Sequence, residues 1–106
     1  MNRSTISCHK VDLHNGHLDI FFETPTHLET YETSCEKFAQ LLDQKKIFCS
    51  KKKPHRKLYL DYEGEVSENR GFLKILWKGY LLNDEGIFPE DVNVCLIENT
   101  KLRLEF

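Results

Sequence analysis

Apolar and polar positions alternate over much of the chain, which is the period of strands half buried in a sheet. In the run His17-Leu-Asp-Ile-Phe-Phe-Glu23 the alternation sets Leu18, Ile20 and Phe22 on one side and His17, Asp19, Phe21 and Glu23 on the other, because successive strand side chains point to opposite faces. One face builds core, and the other presents an imidazole beside a carboxylate. Upstream, residues from Thr5 to Val11 predict a first strand, with Leu13-His14-Asn15-Gly16 as the turn, since Asn and Gly tolerate positive φ. Residues 17 to 24 return antiparallel. His27 to Thr33 predicts a further strand bounded by Pro25, and Ser34 is expected to cap a short helix through Lys45 with an apolar stripe of Phe38, Leu41 and Leu42. A strand at Ile47 to Cys49 follows.

Pro54 biases Lys53 toward extended geometry and the run Leu58 to Tyr62 alternates again, so a strand there would align His55, Tyr59, Asp61 and Glu63 on one face. Phe72 to Trp77, a strand near Tyr80, a turn at Asn83 to Gly86, and a closing hairpin of Val92 to Ile97 with Lys101 to Phe106 complete the pattern. Many short strands and one helix predict a mainly-β fold, a small antiparallel β-barrel or sandwich with one short helix.

With 106 residues, 40% of them apolar, the chain suits one compact domain spanning residues 1–106 and is too short for two. It has no apolar stretch of membrane-spanning length and no long apolar run at its N-terminus, so a soluble, cytoplasmic protein is expected, with no membrane partner. Cys8, Cys35, Cys49 and Cys95 are scattered with no Cys-x-x-Cys pair. They fit neither a zinc ribbon nor a required disulfide framework and are expected to be reduced packing residues.

The formal net charge of −2 argues against a generic nucleic-acid binder, but the distribution is uneven. Lys45, Lys46, Lys51, Lys52, Lys53, Arg56 and Lys57 are seven of the fifteen basic residues and have no acidic residue among them. The remaining eight basic residues face seventeen acidic ones. A basic patch beside His55 on an acidic body would focus a phosphate-bearing ligand there; its plainer explanation is a solvated loop.

The first hairpin brings candidate chemistry together. Folded about residues 13 to 16, it sets His9 roughly opposite Leu18 or Asp19, within cross-strand reach. His9, His17 and Asp19 could then share one metal ion. Two imidazoles and a carboxylate with open positions suit manganese, iron or zinc. His14, in the turn, is a rival third ligand, and His27 reads as a strand-surface residue.

His9, then His17-Leu18-Asp19, then His55-x-x-x-Tyr59 running into Asp61-Tyr62-Glu63-Gly64, with Asn69-Arg70-Gly71 before the next strand, resembles the 3′-phosphoesterase module of bacterial DNA ligase D and its stand-alone relatives. The resemblance spans roughly His9 to Trp77. It implies a small β-barrel with its site in a crescent-shaped groove, and a metal-dependent enzyme, usually manganese-requiring, that removes a terminal nucleoside and then the remaining 3′-phosphate from DNA or RNA-containing 3′ ends. Carried over, His9, His17 and Asp19 hold the metal, and His55 and Tyr59 act on the scissile phosphate. Lys53, Arg56, Lys57 and Arg70 are the candidate substrate-binding charges. The family carries an arginine two residues beyond the aspartate, where this chain has Phe21. Expected partners are nucleic-acid 3′ ends and a DNA ligase or polymerase acting with a monomer. The competing functions are a non-catalytic barrel that binds nucleic-acid ends or phosphate, and a β-domain that binds protein through its acidic face.

Overall fold

A computed structural model describes residues 1–12, 15–68, 70–83 and 85–106. The strands are β1 (Asn2–Lys10), β2 (Gly16–Glu23), β3 (Leu28–Ser34), β4 (Lys46–His55), β5 (Gly64–Glu65), β6 (Phe72–Leu82), β7 (Asp91–Glu98) and β8 (Lys101–Glu105). Helix α1 (Lys37–Gln44) joins β3 to β4, and a 3-10 turn covers Lys57–Leu60. Seven strands run in the order β1-β2-β3-β4-β7-β8-β6, and β6 pairs back onto β1 to close a barrel. Closure removes the free edges that an open sheet would expose. This is the small, mainly antiparallel barrel with one short helix that the sequence predicts; among the neighbouring strands of the described residues only β6 and β8 run parallel. Among the described residues, no helix is long and apolar enough to cross a membrane.

The β1–β2 register decides what faces inward. Ile6 lies opposite Ile20 and Cys8 opposite Leu18, and with Phe22, Tyr31, Ile47, Val94 and Leu102 the apolar members of these pairs fill the interior. Thr5 opposite Phe21, Ser7 opposite Asp19 and His9 opposite His17 therefore lie on the outer face. His9 meets His17 rather than Leu18 or Asp19, a shift of one or two places from the expected pairing. The outer face is nonetheless covered. Phe21, Leu28, Leu60 and Leu73 form a second small core, joined by Tyr59, Tyr62 and Val66, so the chain between β4 and β6 lies over β2 and shapes a groove against it.

That covering segment is where the expected strand fails. Lys57 to Leu60 forms a 3-10 turn, closed by Tyr59 N–H donating to the Arg56 carbonyl at 3.1 Å. Leu60 is buried against Phe21 while Leu58 is exposed, so the apolar alternation marks one anchor and one solvent residue, not a strand face. His55, Tyr59, Asp61 and Glu63 are not aligned. Asp61 pairs with Arg3 at 2.9 Å and Lys78 at 3.6 Å, and Glu63 accepts the Ile75 N–H at 3.1 Å.

The helix also starts later than expected. Ser34 belongs to β3, opposite His17, and Glu36 takes the N-cap position with no side-chain hydrogen bond. Leu41 is buried and Phe38 packs on the core, but Leu42 is 47% exposed, so the stripe is narrower than predicted. The two strands expected near Phe72 and Tyr80 are one continuous β6. All four thiols are free, Cys49 and Cys95 within the barrel wall, and the Cys8 and Cys35 sulfurs touch at 2.9 Å.

Candidate metal centre and groove

Because β1 and β2 pair with His9 opposite His17, both imidazoles emerge on the outer face, with Asp19 two residues along the same strand. His9 Nδ1 lies 3.2 Å from His17 Nε2. His17 Nε2 is 3.2 Å from Asp19 Oδ1, and His9 Nδ1 is 3.8 Å from Asp19 Oδ2. The three ligating atoms all fall within 4.8 Å of one another. Asp19 is buried and the two histidines are partly so. Two nitrogen donors and one anionic oxygen at this spacing can chelate a divalent cation. His14, the rival ligand, lies outside the described residues.

The His9 tautomer is fixed from behind. Its Nε2 lies 2.6 Å from the Arg70 carbonyl oxygen; a carbonyl only accepts, so Nε2 carries the proton and Nδ1 keeps its lone pair toward the cluster. A ligating histidine held through its other nitrogen by a backbone carbonyl is the usual support of a metal centre. The pKa of His17 is raised above the ordinary histidine value, first by its hydrogen bond to Asp19 and further by the charges of Asp19 and Glu32, against the opposing effects of burial and Lys52.

A cavity of about 400 Å³ opens beside the cluster. His9 and Asp19 stand on one wall, and Lys53, His55, Arg56, Tyr59 and Arg70 complete it. His55, the last residue of β4, rests on Phe21 with ring centroids 5.2 Å apart and meets the edge of Tyr59 at 5.9 Å. The Thr30 hydroxyl donates to the Leu28 carbonyl at 3.1 Å, so its oxygen and the Lys53 carbonyl, each 3.0 Å from His55 Nδ1, are both acceptors competing for the single hydrogen on that nitrogen. His55 Nε2 is left without a protein partner among the described residues. Arg56 lies over the Tyr59 ring at 5.7 Å, an attraction between cation and aromatic face that holds its charge at the groove. A second cavity of about 810 Å³ shares Arg56, Tyr59 and Val66 and continues past Tyr62 and Phe72.

Not every expected residue arrives. Lys57 does not line the groove: its ammonium sits 3.4 Å from the Pro25 carbonyl and 3.6 Å from Glu23. Arg70 lines it, but its guanidinium is bound to the carbonyl and hydroxyl of Ser67, each at 3.0 Å. Within the basic run, Lys46 pairs with Glu105, Lys51 with Glu29 and Lys52 with Glu32, while Lys45 donates to the Leu42 carbonyl. Lys53 and Arg56 are groove charges with no carboxylate paired to them among the described residues. Two residues near the cluster escape a sequence reading. Glu32, opposite Asp19 on β3, places Oε1 3.2 Å from His17 Nε2, and the β2–β3 hairpin about Pro25 is the signal that could reveal it. Ser7, opposite Asp19 on β1, is buried with its hydroxyl unpaired.

No protein-family profile matches the chain, and no curated protein compared with it gives a match.

Proposed function

We propose that the protein is a metal-dependent phosphoesterase that processes 3′ ends of DNA or RNA-containing DNA. One observation carries the reading: a chelating His9, His17 and Asp19 cluster shares a groove with His55, Tyr59, Lys53 and Arg56. A divalent cation held by the cluster, manganese by preference or another transition metal, supplies Lewis acidity toward a phosphoryl oxygen. Lys53 and Arg56 bind the phosphate and set its position. Water attacks the phosphorus as the ester bond to the 3′ oxygen breaks, and His55, its Nδ1–H held by acceptors, donates as an imidazolium from Nε2–H to that leaving oxygen. The Tyr59 hydroxyl donates to the charge that builds on the phosphoryl oxygens, an interaction that gains strength as the charge grows. The product, a 3′-hydroxyl end, is the form that a DNA ligase or polymerase extends or joins.

A second reading, end binding without cleavage, draws on Phe21. It is fully buried beneath His55 where the resembled family presents an arginine, so one phosphate contact is replaced by packing. Release of inorganic phosphate from a 3′-phosphorylated DNA primer with Mn²⁺ decides between them. The phosphoesterase reading expects release by the wild type and its loss in Asp19→Asn. Tight binding of the primer with no release under any divalent metal would favour the binding module.

A further inference from the structure

The donor atoms around His17 outnumber the hydrogen bonds it can make. His9 Nδ1, Asp19 Oδ1 and Glu32 Oε1 each lie 3.2 Å from the single atom His17 Nε2. A ring nitrogen carries one hydrogen or one lone pair, so it satisfies one of these three neighbours. We infer that Glu32 is a fourth protein ligand of the metal centre. The inference rests on the reading of the cluster as a metal centre and is independent of the reaction catalysed there.

Donor atoms bound to one cation at about 2.0–2.2 Å, with tetrahedral or octahedral angles between them, stand about 3–3.5 Å apart. Each of the three neighbours stands at that distance from His17 Nε2, while the His9, His17 and Asp19 ligand atoms fall within 4.8 Å of one another, so a bound cation would draw the wider pairs together. The sheet produces it directly: β2 runs between β1 and β3, with Asp19 opposite Ser7 on one side and Glu32 on the other, so the Asp19 and Glu32 carboxylates share the outer face with His17. Lys52 Nζ stands 3.8 Å from Glu32 Oε2 and holds that oxygen away, leaving Oε1 to bind alone. Two carboxylates against a divalent cation bring the centre to neutrality. Ser7, fully buried with an unpaired hydroxyl, stands on the same face beside Asp19, where a metal-bound water or the second Asp19 oxygen would satisfy it.

Four protein ligands have a consequence for metal choice. They leave two positions of an octahedral Mn²⁺ open and none of a tetrahedral Zn²⁺. Mn²⁺ therefore remains accessible to water and phosphate, whereas Zn²⁺ closes the site.

Calorimetric titration of the full chain with MnCl₂, together with water-proton relaxation of the Mn²⁺ complex, tests this. Glu32→Gln should weaken Mn²⁺ binding by at least about tenfold and raise the number of exchangeable waters on the bound ion by one. Glu32→Asp, too short to reach, should show the same direction, and Glu23→Gln, a carboxylate paired with Lys57, should leave both quantities unchanged. Circular dichroism establishes that each variant folds; if Glu32→Gln does not, the Glu32→Asp result decides. Wild-type affinity and an unchanged water count in the Glu32 variants, with binding still abolished in Asp19→Asn, would overturn the fourth ligand alone. Undiminished binding in His9→Ala, His17→Ala and Asp19→Asn would overturn the centre itself.

Discussion

His17 is where proton and metal compete. Its pKa in the folded protein is raised above 6.5, chiefly through the hydrogen bond to Asp19, so protonated His17 stabilises the metal-free fold. That contribution is fully present below the unfolded value and fades as pH rises through the folded one. In EDTA, the drop in melting temperature caused by His17→Gln should accordingly be larger at about pH 5.5 than at about pH 8.5; the opposite trend would mean that Asp19 gains nothing from the imidazolium. Metal binding must displace this proton, and affinity for Mn²⁺ should rise over the same pH range. Across the groove, His55 and Tyr59 touch no chelating residue through a hydrogen bond. His55→Ala should lower turnover on a 3′-phosphorylated end by about 10²–10⁴-fold, the scale of general acid–base catalysis, with Mn²⁺ affinity nearly intact, and Tyr59→Phe should act in the same direction with a smaller effect. Loss of metal binding in His55→Ala would make His55 a ligand.

Secondary-structure elements explain how much of this is legible in the sequence. The β2 alternation places Leu18, Ile20 and Phe22 in the barrel interior and His17 with Asp19 on the other face, because with a period of two the residues between the interior ones must point outward; the burial of Phe21 under the segment between β4 and β6 is not legible in that alternation. The partner of His9 is less determined: the hairpin register depends on the turn, in which the Asn15 carbonyl accepts the N–H groups of Val11 and Asp12, and an extra turn residue moves every pair. Leu58 and Leu60 resemble a strand in sequence since alternation alone does not separate a short strand from a turn with one buried anchor. Tertiary packing decides, by drawing Leu60 under Phe21 and Leu73. Glu32 escapes notice because its role exists only once β2 and β3 are paired. The support of His9 by the Arg70 carbonyl is likewise invisible to side-chain patterns, and it depends on Gly71. That residue has φ +103°, and a Cβ there would collide with the carbonyl of Lys10. Gly71→Ala should therefore push the Arg70 carbonyl away from His9 and weaken Mn²⁺ binding by about 10–100-fold, although it removes no ligand. Wild-type affinity by calorimetry would show that His9 needs no such support.

For the molecule as a whole, the basic segment is less free than its sequence suggests. Lys46, Lys51, Lys52 and Lys57 are matched to carboxylates on other strands of the barrel, while Lys53 and Arg56 line the groove. Neutralising Lys53 and Arg56 together should make the salt dependence of binding to a 3′-phosphorylated strand shallower, by about one unit of slope for each phosphate deprived of its cation. Lys51→Gln should change it little. Equal effects from the two sets would indicate a diffuse electrostatic field in place of a localised contact.

The barrel closes through residues far apart along the chain, Asn2 with Leu81 and Lys10 with Phe72, whereas His9, His17 and Asp19 all belong to the first hairpin. Sheets dominated by distant pairings fold slowly, in about milliseconds to seconds, since the loop must close before the contacts that reward it exist. A hairpin forms in microseconds. A cation held by the cluster would then be captured while the remaining strands are still unpaired, and would act as a clasp on the folding chain. Stopped-flow refolding should accelerate with rising Mn²⁺ concentration, and the acceleration should vanish in Asp19→Asn. If Mn²⁺ instead leaves refolding unchanged and only retards unfolding, the centre assembles after β6 has met β1.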